Sequence, residues 1–382
     1  MSRKTFYIYS SLSIFFQFYF LILAKDFTDD FFIYIQLISI SSLLNGVFGS
    51  IQFFFQNKRT ISIRKEILIF YLCLKILIFI FCSIKYDFLI GFVFIILSLN
   101  LCWINLISAK AAYKDMLTSN SKYLFFVAIL KFFSVYFSIL LEVSFLNLIL
   151  FFTLINLIAS VYIYGKIEIS FDKNGYSFKS SLITFLGSSL FSLDKIFISL
   201  FFPKILISYF LINRISSIFQ IFSEIFFREE RFKITSGKKI RKYLGIVFKL
   251  ILLFSILLLI MLIINFWNLN LNEIYFLEKF KNLNKIFLYI YELKNYKLEI
   301  FLMSSSFILN STSGLWYDRM YKNLYENYLL IINFLNMLVL LILFTFYAND
   351  LKSFAISLFV IQIFNLITVF IFFRKKFQNY EL

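Results

Sequence analysis

A small set of ionisable side chains stands inside stretches that are otherwise apolar: Lys75, Lys131, Lys195, Arg214, Lys249, Asp194 and Glu224. A charge near the centre of a membrane helix costs about 2.5–3.5 kcal/mol on insertion scales. Such residues therefore face a cavity or a partner rather than lipid. Cations outnumber acids in this set, a balance that suits an anionic group such as phosphate or pyrophosphate held in low dielectric. A carrier of small cations should show the opposite balance. Lys75, Lys131, Lys195 and Arg214 are the candidates for binding the anion. Asp194 and Glu224 are the candidates for coupling to an ion gradient, since a carboxylate can take up a proton or a sodium ion.

Depth along the helices separates these residues. At 1.5 Å per residue, Asp194 and Arg214 lie ~18 and ~20 Å from the same face in successive antiparallel spans. A structural ion pair and a functional pair are equally open readings. Lys195 is rotated by about 100° from Asp194 on a helix, so the two cannot use one partner equally. Lys75 and Lys131 are mid-span with no acid at matching depth in their own helices, which makes them the better candidates for an anion-attracting cavity. Lys249 stands close to the end of its span and can snorkel to the surface. Glu224 is also near a span end and can pair with Arg228 at i+4.

Other chemistry is excluded by what the chain lacks. It has no histidine, which removes His-based triads, the usual zinc sites and a histidine proton relay. Cys73, Cys82 and Cys102 lie in or beside apolar blocks with no C-x-x-C spacing, so neither disulfides nor thiolate metal sites are expected. No cofactor is expected, and nothing suggests nucleic acid as a partner.

The elements that must position these residues are membrane helices. The chain is 61% apolar with a mean hydropathy of +0.86, where a soluble domain is about half apolar. Its apolar residues fall in blocks of about 20, the length that spans ~30 Å of hydrocarbon as a helix. The blocks predict spans at 5–24, 31–55, 66–84, 88–107, 123–141, 145–165, 182–202, 205–227, 244–266, 298–316, 329–348 and 353–373. The second is long enough to tilt or project. The tenth carries Ser304, Ser305, Ser306, Asn310, Ser311, Thr312 and Ser313, so it should face a cavity or other helices. Met1-Ser2-Arg3-Lys4 resembles the charged end of a signal sequence, but no A-x-A site follows, and the first block is read as a retained helix.

Lys and Arg set the orientation. Most of the 38 fall in alternate loops, which places both termini in the cytoplasm. Outside the long connection 267–297, the outer loops carry only Lys25, Lys85, Lys204 and Lys352. Within that connection Phe276, Phe280, Leu283, Phe287 and Ile290 form a helical stripe, which suits either a helix in the outer headgroup layer or a fold-back segment. The basic loop 228–242 sets topology and could gather anionic head groups. Tyr34 and Ile40-Ser41-Ser42 recur at the same spacing as Tyr209 and Ile215-Ser216-Ser217, a trace of a parallel repeat. The expected fold is an all-α polytopic membrane protein of about 12 helices in two six-helix lobes around a central cavity. Residues 1–165 form the N-terminal lobe, 166–181 a cytoplasmic linker and 182–382 the C-terminal lobe.

The stretch Ser192-Leu193-Asp194-Lys195-Ile196-Phe197-Ile198, followed by a short turn, Tyr209 and Asn213-Arg214, resembles a segment of polysaccharide flippases. Trp316-Tyr317-Asp318-Arg319 before two apolar spans is similar to the same family. These are O-antigen flippases of the Wzx type in the MOP exporter superfamily. The resemblance implies translocation of an undecaprenyl-pyrophosphate-linked oligosaccharide from the cytoplasmic to the outer leaflet of the bacterial inner membrane. It implies no enzymatic activity, membrane lipids as neighbours, and other polysaccharide-assembly membrane proteins as further partners. Asp194, Lys195 and Arg214 match the motif; Lys75 and Lys131 rest on the electrostatic argument alone. The chief alternative is a membrane O-antigen polymerase or polyprenyl-dependent glycosyltransferase using Asp26, Asp29 and Asp30 of the first outer loop. A MATE-like small-molecule exporter is a further alternative.

Overall fold

The computed structural model describes residues 3–24, 26–48, 60–113, 117–164, 168–172, 175–190, 192–227, 243–266, 294–322 and 326–377. Almost all of them are helical. Six helices among the described residues are long and apolar enough to cross a membrane, and a bent pair makes a seventh if counted as one span. The chain is thus an all-α membrane-embedded protein. The described residues form two compact units, Met1–Phe201 and Phe202–Leu382.

The first unit contains α1 (Arg3–Ala24), α2 (Thr28–Asn45), α3 (Lys65–Lys85), α4 (Phe88–Tyr113), α5 (Leu117–Leu141), α6 (Phe145–Tyr164), α7 (Phe178–Ser189) and α8 (Leu193–Phe201). Capping follows local chemistry. Asp87 Oδ1 accepts from Ile90 N (2.7 Å) at the start of α4, and Ser177 Oγ accepts from Ser180 N (3.2 Å) at the start of α7. Helix α3 shows how an apolar span chooses its face. Ile67, Tyr71, Lys75 and Cys82 are buried in one narrow stripe, while Ile69, Phe70, Leu72, Ile76, Leu77, Ile80 and Phe81 are exposed. Its two mid-helix polar side chains are therefore on the protein side, as a hydrocarbon surround requires.

Two expected spans take a different form in this unit. Within the predicted span 31–55, α2 tightens after Asn45 into a 3-10 turn, Gly46–Phe48, and 49–55 lie outside the described residues. A Cβ at Gly46 would lie 1.7 Å from Ser188 Oγ and 2.6 Å from its Cβ, so only glycine lets this turn reach α7. The predicted span 182–202 is broken into α7 and α8, bent by 54°. The stretch 166–181 holds strand β2 (Glu168–Phe171), parallel to β1 (Thr60–Ile63), and the start of α7. Helix α7 packs on the Gly46–Phe48 turn and α8 on α2, and both fall within the first compact unit.

The second unit contains α9 (Leu206–Ser216), α10 (Ile218–Phe226), α11 (Tyr243–Phe266), α12 (Lys297–Lys322), α13 (Glu326–Phe346) and α14 (Leu351–Phe377). The predicted span 205–227 is two helices, with Ser217 between them donating its hydroxyl to Arg214 O (2.6 Å). Helix α12 is the axis of the unit and packs on α9, α10, α11, α13 and α14. Ser304, Ser305, Ser306, Ser311, Thr312 and Ser313 are all buried on it. Small hydroxyl side chains let helix backbones approach closely where no hydrophobic effect drives association. That composition keeps α12 outside the six apolar spans and fits its interior position. The stripe expected within 267–297 and the loop 228–242 lie outside the described residues.

Candidate functional site

Lys75 stands midway along α3 and is 3% exposed. Among the described residues its Nζ has no hydrogen-bond partner. It lies 4.4 Å from the centroid of the Tyr71 ring, one turn earlier on the same stripe. The Tyr71 hydroxyl donates to Asn45 Oδ1, and Asn45 Nδ2 donates to Ser98 O (3.3 Å). Cys102 adjoins both Tyr71 and Lys75. Helices α2, α3 and α4 thus converge on one cation, an aromatic face and a neutral amide, without a carboxylate in the cluster. The ring face stabilises a desolvated ammonium by about 2 kcal/mol. That is of the same order as the insertion cost of about 2.5–3.5 kcal/mol. Its three N–H donors make no hydrogen bond among the described residues. Ser98 Oγ is also buried, beside the Tyr71 hydroxyl.

Lys131 has a different setting. With Asn100, Ser134, Thr153 and Asn156 it lines a cavity of about 10 Å³ between α4, α5 and α6, room for about one water. Asn156 Nδ2 donates to Asn100 Oδ1 (2.6 Å) and to Tyr123 Oη (3.3 Å), while Asn156 Oδ1 is buried without a partner. A water accepting from a cation and donating to that oxygen would satisfy the cavity.

Asp194 and Lys195, in the first turn of α8, are paired with each other. Lys195 Nζ lies 3.0 Å from Asp194 Oδ1 and 3.1 Å from Oδ2, and Lys195 N also donates to Oδ1 (2.8 Å). Both side chains are buried. The break before α8 explains this: at a helix start the Asp194 carboxylate turns back to a backbone N–H, and the neighbouring lysine can fold over it.

In the second unit the Arg214 guanidinium lies 5.0 Å from the Phe210 ring centroid, one turn back on α9. The side chain of Glu224, on α10, lies outside the described residues. Lys249 Nζ donates to Phe226 O (2.9 Å) at the C-terminus of α10, where a cation complements the helix dipole. The structure therefore joins Asp194 to Lys195. It distributes Lys75 and Lys131 over two separate clusters within the first unit.

Amides escaped the sequence reading. Tyr317 Oη donates toward Asn333 Oδ1 (2.6 Å) and Asn365 Oδ1 (2.9 Å), and Asn336 Nδ2 donates to Asn365 Oδ1 (2.7 Å), tying α12, α13 and α14 together. Their signal was present as Asn and Gln inside apolar blocks, but an amide costs far less to bury than a charge and stands out less. Of the acids assigned by sequence to the first outer loop, Asp29 and Asp30 stand in the first turn of α2, and Asp30 Oδ2 accepts from Ser144 Oγ (3.1 Å) and Leu146 N (3.5 Å) at the start of α6.

In comparisons with known proteins, no family model, no curated protein and no solved structure matched the chain. Among the described residues no three His, Cys, Asp or Glu side chains gather as metal ligands.

Proposed function

We propose that this chain is a flippase that carries an undecaprenyl-pyrophosphate-linked oligosaccharide from the cytoplasmic to the outer leaflet of the bacterial inner membrane. The observation that carries the reading is Lys75, a cation buried at mid-span with an aromatic face beneath it and no hydrogen-bond acceptor among the described residues. An anionic head group passing through low dielectric is the ligand such a donor fits. In this reading the chain is a transporter rather than an enzyme. It has about 12 helices in two lobes around a cavity and both termini in the cytoplasm, as the distribution of Lys and Arg favours. The pyrophosphate meets Lys75 while the polyprenyl tail stays in lipid, and alternating access delivers the sugar outside. The Asp194–Lys195 pair is the site at which an ion gradient acts, through exchange of the lysine for a proton or sodium ion on the carboxylate. The use of Asp30 at the start of α6 argues against a catalytic role in the first outer loop.

The test is deletion of the gene in its own host with complementation by the wild type or by Lys75→Met. Complete lipid-linked repeat units should accumulate on the cytoplasmic leaflet in the deletion and in the variant. Single units that reach the outer leaflet without polymerising would make the chain a polymerase. An unchanged surface glycan would point to the exporter class.

A further inference from the structure

Strands β1 and β2 pair in the register Ile61↔Ile169, Ser62↔Ser170 and Ile63↔Phe171. Because side chains alternate along a strand, Ile61, Ile63, Ile169 and Phe171 share one face of this ribbon, and Ser62 and Ser170 share the other. The apolar face is only half covered. Ile61 and Ile63 are 0% and 2% exposed, whereas Ile169 and Phe171 are 42% and 49% exposed. The polar side of β1 is closed tightly: a Cβ on Gly175 would lie 2.6 Å from Ser62 Oγ and 2.8 Å from Ile63 N. Tyr176 anchors the assembly, accepting β1's next backbone donor from Arg64 N (3.3 Å), donating its N–H to Ser62 O (2.9 Å) and its hydroxyl to Val47 O (2.6 Å). With β2 on one side of β1 and Tyr176 on the other, β2 is the edge strand among the described residues.

The ribbon sits where spans begin and end. Chain connectivity places β1 directly before α3, and β2 between the end of α6 and the start of α7. Its uncovered face is continuous with the lipid-facing stripe of α3. Lys65 Nζ lies 5.5 Å from the Phe171 ring centroid, and exposed Phe178 meets exposed Phe70 edge-on at 5.6 Å. Described charges around it are Arg64, Lys65 and Lys179 against Glu66 and Asp172. An edge strand needs water for its backbone groups and cannot lie in hydrocarbon, while Ile169, Phe171 and Phe178 are poorly suited to bulk water. The layer that satisfies both demands is the headgroup region, and the excess of cations selects anionic head groups.

We propose that the β1–β2 ribbon is a docking surface for anionic phospholipids of the adjoining leaflet. Ile169, Phe171 and Phe178 enter the boundary between head groups and acyl chains, and Arg64, Lys65 and Lys179 receive the lipid phosphates. This surface tethers the segments between α2 and α3 and between α6 and α7 to the membrane plane, and it does not depend on what the chain transports.

The test uses the full chain in its native membrane, carrying a photo-activatable benzophenone amino acid at position 169, 170 or 171. Adducts are identified by mass spectrometry after irradiation. Phospholipid adducts at 169 and 171, with little at 170, are expected. In vesicles of mixed phosphatidylglycerol and phosphatidylcholine, phosphatidylglycerol should dominate the adducts. That preference should fall by about fivefold for each basic side chain replaced in Arg64→Gln, Lys65→Gln and Lys179→Gln. If those variants fail to fold, high salt on the chain with its basic residues intact gives the same readout, since screening must lower the preference. Adducts with a second copy or with another protein, equal yields at all three positions, or no preference for the anionic lipid under either treatment would each overturn the proposal.

Discussion

Two buried polar clusters, one in each unit, solve the same problem in opposite ways. Around Tyr317 the second unit gathers Asn333, Asn336 and Asn365, neutral groups that supply both donors and acceptors to one another across three helices. Around Lys75 the first unit gathers a cation, a tyrosine face and one amide whose oxygen is already taken by Tyr71. The first arrangement ties three helices together as a clamp, although Asn336 Oδ1 makes no hydrogen bond among the described residues. The second is open in one specific respect, an excess of donors. A bundle that needed only cohesion could use the clamp twice. An unmatched ammonium makes physical sense where something else brings the acceptor, so the contrast separates packing from binding.

The Asp194–Lys195 pair is the natural calibration, because it is a buried lysine that does have an acceptor. Removing one partner of a buried pair costs about 3–5 kcal/mol, while replacing both by apolar residues is close to neutral. Asp194→Ala should therefore show the largest loss of stability in thermal unfolding of the detergent-purified protein, and Asp194→Leu combined with Lys195→Met should recover most of it. Failure of the double replacement to recover would mean that the pair is not what stabilises Lys195. The comparison with Lys75 would then lose its reference.

Lys75→Met is the direct attack on the contrast. It removes an insertion cost of about 2.5–3.5 kcal/mol and forfeits a ring contact worth about 2 kcal/mol. Stability should stay level or rise slightly. Transport should fall by about thirtyfold or more if the ammonium meets an anion in a desolvated site. Surface-glycan display measured at matched protein abundance separates the two effects. Loss of abundance with normal transport per molecule would make Lys75 a packing residue like its counterparts in the second unit.

Tyr317→Phe tests the other side. Polar contacts between membrane helices average ~0.6 kcal/mol and reach ~1.7 kcal/mol. A small fall in unfolding temperature is expected, with transport following abundance. A transport defect larger than the loss of protein would move the amide cluster from the clamp to the binding machinery.

Particular residues show why part of this was legible in sequence and part was not. Lys75 and Lys131 were readable because a charge in a run of Leu, Ile and Phe is conspicuous and lipid forces it inward. Lys249 was readable as a span-end residue, and it is found on the last carbonyl of a neighbouring helix. The pairing of Lys195 with Asp194 was not, since the 100° rotation between neighbours holds only inside a regular helix, and the chain breaks just before α8. The break between α9 and α10 was hidden for a similar reason: Ser217 is a short polar residue that apolar averaging passes over. The ribbon was out of reach because Ile61 and Ile63 fall between the predicted spans 31–55 and 66–84, and Ile169 and Phe171 fall in the predicted linker 166–181, too short for either segment to declare a strand alone. Only the fold brings residues 60–63 beside 168–171.

An effect of similar size belongs to a charge that the second unit caps at a helix start. Asp350 lies outside the spans, before α14. Its Oδ1 accepts from Ser353 N (2.7 Å), and Ser353 Oγ accepts in return from Asp350 N (3.0 Å), a reciprocal cap. Hydrogen bonds from Ser353, through its side chain and its backbone N–H, hold the carboxyl below the usual carboxylate range. A group whose folded value is depressed contributes stability above its unfolded value, about 3.9 for aspartate. That contribution is lost as the pH falls through the lower folded value. Asp350→Ala should cost about 1 kcal/mol as a lost cap. Asp350→Asn, which keeps the acceptor and removes the charge, should cost less, and its difference from the wild type should vanish on acidification below about pH 4. A difference that grows as the pH falls would reverse the sign of the linkage. It would also show that the capped carboxylate, like the Lys75 ammonium, lacks a full set of partners, and the contrast between the two charges would fail.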